Sequence, residues 1–114
     1  MPCIEMKVNI PVTEEKERAV KTELGKAIAI LPGKSEQWLM VTVEPETTVY
    51  FQGKKDSPLA FVAVSLFGKA GGGEYDRLTG EICRICQEIL GIRPENVYVK
   101  DEEIQYWGWN GRNF

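Results

Sequence analysis

Histidine is absent from the 114 residues of this chain. That absence excludes every catalytic triad and metal site that depends on imidazole. Acid–base chemistry near neutral pH must then use another group with a suitable pKa. Cysteine is scarce: Cys3, Cys83 and Cys86 are too few, and odd in number, for a disulfide framework. No apolar run approaches the ~18 residues of a membrane-spanning helix. The opening MPCIEMKVNI has no basic region followed by a long apolar one, so no secretory signal is expected and a cytoplasmic location is the default. No basic stripe stands out, and the formal net charge of -3 makes nucleic acid an unexpected partner. Nothing in the sequence calls for a metal or a cofactor.

What is present is ordinary globular composition, 43% hydrophobic and 27% charged, consistent with a single domain over residues 1–114. In residues 2–10, Ile4, Met6, Val8 and Ile10 alternate with Glu5 and Lys7, the period of a strand. Pro11 breaks that run, and Thr13 is an N-cap candidate ahead of Glu14 and Glu15. Val20, Leu24, Ala27, Ile28 and Leu31 then recur at helical spacing, and Pro32-Gly33 stops the helix. Residues 38–43 read as an apolar strand, and Val49-Tyr50-Phe51 as a short one.

The second half repeats the plan. Residues 59–67 predict a buried strand, and Gly71-Gly72-Gly73 leads to a second helix with the stripe Leu78, Ile82, Ile85 and Ile89. Gly91 suits its C-terminal cap, Pro94 prevents continuation, and residues 96–100 predict another strand. The tail from Ile104 to Trp109 is apolar enough to pair or pack. The fold class is therefore α+β, two β-α-β units forming a four-stranded mixed sheet with both helices on one face. Because residues 38–43 and 59–67 are apolar at nearly every position, the second face also needs cover, which predicts an oligomer.

Four segments in this order resemble the macrophage migration inhibitory factor family of the tautomerase superfamily. They are Met1-Pro2 leading into a strand, Pro32-Gly33-Lys34 with Gln37 and Trp38 after it, Phe67-Gly68-Lys69-Ala70-Gly71, and Pro94 to Val99 joined by Trp107 to Phe114. The resemblance covers nearly the whole chain. It implies a homotrimer with active sites between neighbouring subunits, and an activity of the phenylpyruvate tautomerase type. Some members of the family serve as cytokine-like proteins secreted without a signal peptide, so a partner-binding role toward a protein receptor stands as the alternative. A regulatory module of the ACT type, also built from β-α-β pairs, is a third reading that needs no free proline.

The chemistry of Pro2 follows from its position. Met1 before proline is normally removed, which leaves Pro2 with a free secondary amine. Burial disfavours the cation and so does a neighbouring positive charge, so both bring the pKa down toward neutrality. Such an amine can take a proton from carbon beside a carbonyl and return it to oxygen. By position alone, Lys34 reads first as a surface lysine at a helix C-terminus; the resemblance implies instead that it binds the substrate carboxylate and depresses the pKa of Pro2. It further implies that Phe67, in place of an isoleucine, offers a backbone N–H and an apolar wall. By the same resemblance Tyr98 enters from a neighbouring subunit, Trp107 replaces a valine in the pocket, Trp38 replaces a tyrosine at the rim, and Phe114 matches a pocket-edge phenylalanine. Lys100 stands where an asparagine is usual and offers a second cation for the carboxylate or points to solvent. Phe67 and Trp107 are bulkier than their counterparts, which predicts a reshaped pocket.

Other patterns carry less. Cys83-Arg84-Ile85-Cys86 has redox spelling but falls mid-helix, away from the N-terminal position that stabilises a thiolate. The triple glycine lacks the continuation of a phosphate-binding loop. Trp109 reads as core packing, and Asp101-Glu102-Glu103 as a solvated turn.

Overall fold

The computed structural model describes residues 1–114. Strand β1 (Pro2–Val8) is central, and its alternation is the reason: Ile4, Met6 and Val8 are fully buried on one side while Glu5 and Lys7 face outward. Helix α1 (Glu14–Ala27) starts at the expected cap, where the Thr13 hydroxyl accepts from the Lys16 N–H at 3.2 Å. A 3-10 turn, Ile28–Ile30, extends it toward Pro32. The predicted stripe of Val20, Leu24, Ala27, Ile28 and Leu31 is buried throughout.

After a second 3-10 turn at Glu36–Trp38 come β2 (Met40–Glu44), β3 (Ala60–Phe67), helix α2 (Gly72–Leu90) and β4 (Val97–Ile104). The sheet order is β2-β1-β3-β4, with β1 parallel to β2, antiparallel to β3, and β3 parallel to β4. This is the mixed four-stranded sheet of two β-α-β units. The core lies between one sheet face (Ile4, Met6, Val62, Val64, Leu66) and the inner sides of α1 (Val20, Leu24) and α2 (Leu78, Ile82, Ile85).

Several expectations need correction. Residues 49–51 form no strand; Phe51 makes an isolated bridge to Lys54 around a tight turn. The run Asp101-Glu102-Glu103 is not a turn but the second half of β4, held by pairing with Val64, Ser65 and Leu66 of β3. The tail forms a small hairpin, β5 (Gly108–Trp109) and β6 (Arg112–Asn113). Its turn places Asn110 and Gly111 at φ 55° and 88°, the left-handed pair that a two-residue hairpin turn requires.

The free sheet face is also less apolar than residues 38–43 and 59–67 suggested. Thr42, Glu5, Ala63 and Lys100 lie side by side across its middle, with Ser65 and Glu102 in the adjoining row, as the pairing registers dictate. Apolar side chains gather at its two ends, Met40 and Phe67 at one, Phe61 and Tyr98 at the other. Runs that look apolar along one strand thus become mixed once their neighbours are included.

Candidate active site

Pro2 is buried at the head of β1, directly opposite Leu66. It opens into a cleft of about 670 Å³ whose other walls include Trp38, Leu39, Met40, Trp107 and Trp109. Three separate elements build it. The parallel register of β1 with β2 sets Met40 beside Cys3. The 3-10 turn before β2 delivers Trp38. The β5–β6 hairpin brings Trp109, whose ring meets Trp38 edge-on at 5.1 Å between centroids. Edge-to-face geometry of this kind is the favoured one for aromatic pairs.

Lys34 follows the end of the first helical unit and turns back toward the sheet. Its ammonium donates to the Phe67 carbonyl at 2.7 Å. It also stands beside the chain's terminal amine. That amine is held below its ordinary pKa, first by desolvation and then by the Lys34 charge. Gly68 turns the chain after Phe67 with a φ of +107°, a conformation that residues with side chains rarely adopt. The Phe67 N–H donates to the Met1 carbonyl at 3.0 Å. The Phe67 ring packs on Phe114, 5.4 Å between centroids, and the Phe114 N–H bonds the Trp107 carbonyl at 3.1 Å.

Six of the eight residues singled out from the sequence therefore gather around one end of the sheet: Pro2, Lys34, Phe67, Trp107, Trp38 and Phe114. Tyr98 and Lys100 do not join them within this chain. Tyr98 pairs with Phe61, five register steps from Leu66, which is roughly 17 Å along the strand. There it packs on Phe51 at 5.1 Å and borders a smaller apolar hollow of about 240 Å³ with Tyr50 and Phe61. Lys100 lies 3.4 Å from Glu102 and 5.7 Å from the Phe61 ring. That hollow contains neither an amine nor a free carboxylate, so it offers no acid–base pair.

Sequence reasoning missed Met40 and misread Trp109. The first became visible only through the β1–β2 register. The second is half-exposed on the cleft wall instead of packed in the core; the Asn110-Gly111 turn behind it was the available signal for a hairpin that exposes its strands. Cys86 is buried and its thiol is pushed up to about 12, by burial and then by Cys83, which suits packing and not thiolate chemistry. At Gly71 the backbone N–H is satisfied by Glu74 at 3.3 Å, so the helix start presents a carboxylate where an anion would need to sit.

Comparison with known proteins bears on this geometry. The sequence model of one family, described as macrophage migration inhibitory factor (MIF), matches residues 1–114. Macrophage migration inhibitory factors of Rattus norvegicus and Mus musculus are each 30% identical over 116 aligned positions, covering 100% of this chain and 99% of theirs. The crystal structure of Leishmania major MIF2 superposes with a TM-score of 0.92 at 27% identity, covering 100% of this chain and 97% of that one. A homologue from Prochlorococcus marinus matches the fold at a TM-score of 0.88 and 24% identity, covering 98% of each chain.

Proposed function

The chain belongs to the macrophage migration inhibitory factor family and has the tautomerase-superfamily fold, and from that premise we propose that it is a keto–enol tautomerase acting on phenylpyruvate-like α-keto acids. The observation that carries the reading is the chain's terminal amine, held beside Lys34 with a lowered pKa at the mouth of an aromatic cleft. In the full chain the Pro2 nitrogen is an amide and cannot titrate. Removal of Met1 makes it a secondary amine in the same surroundings. The same cleavage also frees the Phe67 N–H from the Met1 carbonyl.

The steps are then simple. The substrate carboxylate sits against Lys34, whose ammonium keeps two donors after bonding Phe67, and against the released Phe67 N–H. Neutral Pro2 takes a proton from the carbon beside the keto group, and the electron pair moves to oxygen. Pro2 then returns the proton to that oxygen, giving the enol; the reverse sequence gives the ketone. No electrons are gained or lost, and no cofactor is invoked. Trp38, Trp107 and Phe114 wall the aryl group and keep water from the base. In this reading the active unit is a homotrimer, with Tyr98, and Lys100 for the carboxylate, supplied by a neighbouring copy.

A partner-binding, cytokine-like role is the second reading. Its support is exposed aromatic surface at and beside the cleft, where Trp109 on the wall is 50% exposed and Tyr106, outside the lining, 73%. One experiment tests both. Intact mass reports whether Met1 is removed, and phenylpyruvate tautomerisation is followed before and after covalent blocking of the Pro2 amine. Turnover that vanishes on blocking supports the enzyme. Turnover that survives blocking rules Pro2 out as the base. A Pro2→Gly variant that loses turnover yet keeps a protein partner separates the two roles.

A further inference from the structure

One polar cluster lies outside the cleft and is not used by the chemistry above. Glu103, near the end of β4, accepts from the Tyr75 hydroxyl at 2.7 Å and from the Ala70 N–H at 3.2 Å through the same oxygen. Tyr75 belongs to the first turns of α2, and Ala70 to the loop between β3 and α2. One carboxylate therefore clamps a strand, a loop and a helix together.

The loop matters because of what lies two residues upstream. Phe67 ends β3, and its carbonyl is the acceptor that holds Lys34. Between that carbonyl and Ala70 are only Gly68 and Lys69. Glycine has the greatest freedom of any residue to rotate its peptide plane. With Ala70 held by Glu103 and Phe67 paired with Ile104, Gly68 sits at φ +107° and the Phe67 carbonyl accepts from the ammonium. Release of Ala70 removes the restraint on the far side of Gly68 and leaves the strand pairing of Phe67 with Ile104 to hold the near side. The next amide, at Gly71, is held independently by Glu74, so Glu103 is the side chain that secures the segment nearest to Phe67.

We propose that Glu103 is a positioning residue for Lys34: by holding Ala70 and Tyr75 it fixes the Phe67–Gly68 peptide, whose carbonyl aims the lysine at the substrate carboxylate. Glu103 touches neither substrate nor reacting atoms, so it acts through Phe67 and Lys34. Its importance for turnover rests on the tautomerase reading; its hold on the loop does not.

The protein with Met1 removed is compared with Glu103→Ala, Glu103→Gln and Tyr75→Phe. Hydrogen exchange at the Ala70 amide and the ammonium nitrogen resonance of Lys34 report the clamp directly. In Glu103→Ala, Ala70 exchanges about tenfold faster and the Lys34 signal broadens, while KM for phenylpyruvate rises about fivefold with kcat nearly unchanged, the effect of losing a modest hydrogen bond that acts on binding. Glu103→Gln retains an acceptor oxygen and recovers most of the lost affinity. Tyr75→Phe falls between the two. Unchanged Ala70 exchange in Glu103→Ala overturns the clamp. Faster exchange with an unmoved Lys34 resonance and an unmoved KM overturns its coupling to Lys34. A parent protein with no turnover on arylpyruvates refutes the tautomerase reading alone, and the two resonance measurements still decide the clamp.

Discussion

The two ends of the sheet are built from similar materials and differ in one respect. At the Pro2 end, Trp38, Trp107, Phe67 and Phe114 surround an amine and a lysine. At the Tyr98 end, Tyr50, Phe51, Phe61 and Tyr98 line an apolar hollow with Asn96 and no amine in its wall; the Lys55 and Lys100 ammoniums lie over the Tyr50 and Phe61 rings. Both ends expose large apolar surface, with Met40 67% and Tyr98 62% accessible. The first end has chemistry but an open mouth; the second has a lid's composition and nothing to cover. An aromatic cluster without a reactive group reads most simply as one half of a contact. On the proposed reading, a single chain holds the base and the cation of the site, and a neighbouring copy supplies the enclosing wall.

The largest expected effect breaks the first end. An alanine inserted between Met1 and Pro2 turns the Pro2 nitrogen into a permanent amide while leaving the cleft walls in place. Turnover should fall by about a hundredfold or more, the usual contribution of a positioned base. Circular dichroism and thermal melting should match the parent, because no buried side chain has changed. Retention of more than a tenth of the activity breaks the comparison, since the amine would then not be what distinguishes the two ends.

The next effect tests whether the ends meet. Tyr98→Ala removes an exposed ring, so the stability of the isolated fold should hold. Turnover should fall about tenfold if the ring closes a neighbour's cleft, a loss typical of an anchoring aromatic at an interface. Mixing this variant with the alanine-insertion protein sharpens the point. Sites that combine an intact Pro2 from one subunit with an intact Tyr98 from another should regain activity on exchange of subunits. Additive, unrecovered activity would place Tyr98 outside the site.

A smaller effect concerns Lys34. Its charge is one reason that the terminal amine has a lowered pKa. Lys34→Met removes a neighbouring cation, so the protonated base is less disfavoured and its pKa rises. The acidic limb of the kcat/KM profile must therefore move to higher pH, while KM rises about tenfold through the lost charged hydrogen bond. A limb that stays in place, or moves to lower pH, would show that Lys34 does not tune the base.

Much of this arrangement was legible in the residues. β1 and α1 could be read because Ile4, Met6 and Val8 alternate and because Thr13 and the Val20–Leu31 stripe obey local rules. Pro2 and Lys34 could be placed because each adjoins a recognisable element boundary. What failed was non-local. The run Asp101-Glu102-Glu103 is polar enough to suggest a turn, yet β3 pairs with it and extends it as a strand. The 49–51 segment has strand-forming residues but no neighbouring strand to pair with. The resemblance assigns Tyr98 to a neighbouring subunit; within one chain it lies roughly 17 Å along the strand direction from the level of Pro2, and Lys100 about 10 Å.

β4 supplies the smallest and most discriminating effect, through two acids on the same side of one strand. Glu103 has its partners, and the Tyr75 hydroxyl, the Ala70 N–H and the charge of Lys69 hold its pKa below the ordinary carboxylate value. Its contribution is present above its unfolded pKa and is lost as pH falls through the folded one. Asp101 is the opposite case. Its Oδ1 is buried with no partner, and burial pushes its pKa up. The folded state therefore binds a proton more readily than the unfolded chain, and stability falls as pH rises through that raised value. Asp101→Asn should accordingly raise Tm modestly at pH 7 and lose that advantage at a pH where Asp101 is itself protonated. Tyr75 should respond too: its hydroxyl, pushed up to about 12 by burial and then by Glu103, loses one of its nearby negative charges and titrates at lower pH in the variant. A variant that is less stable than the parent at pH 7 would mean that Asp101 has a partner across the subunit boundary, placing β4 in the contact that the two ends of the sheet predict.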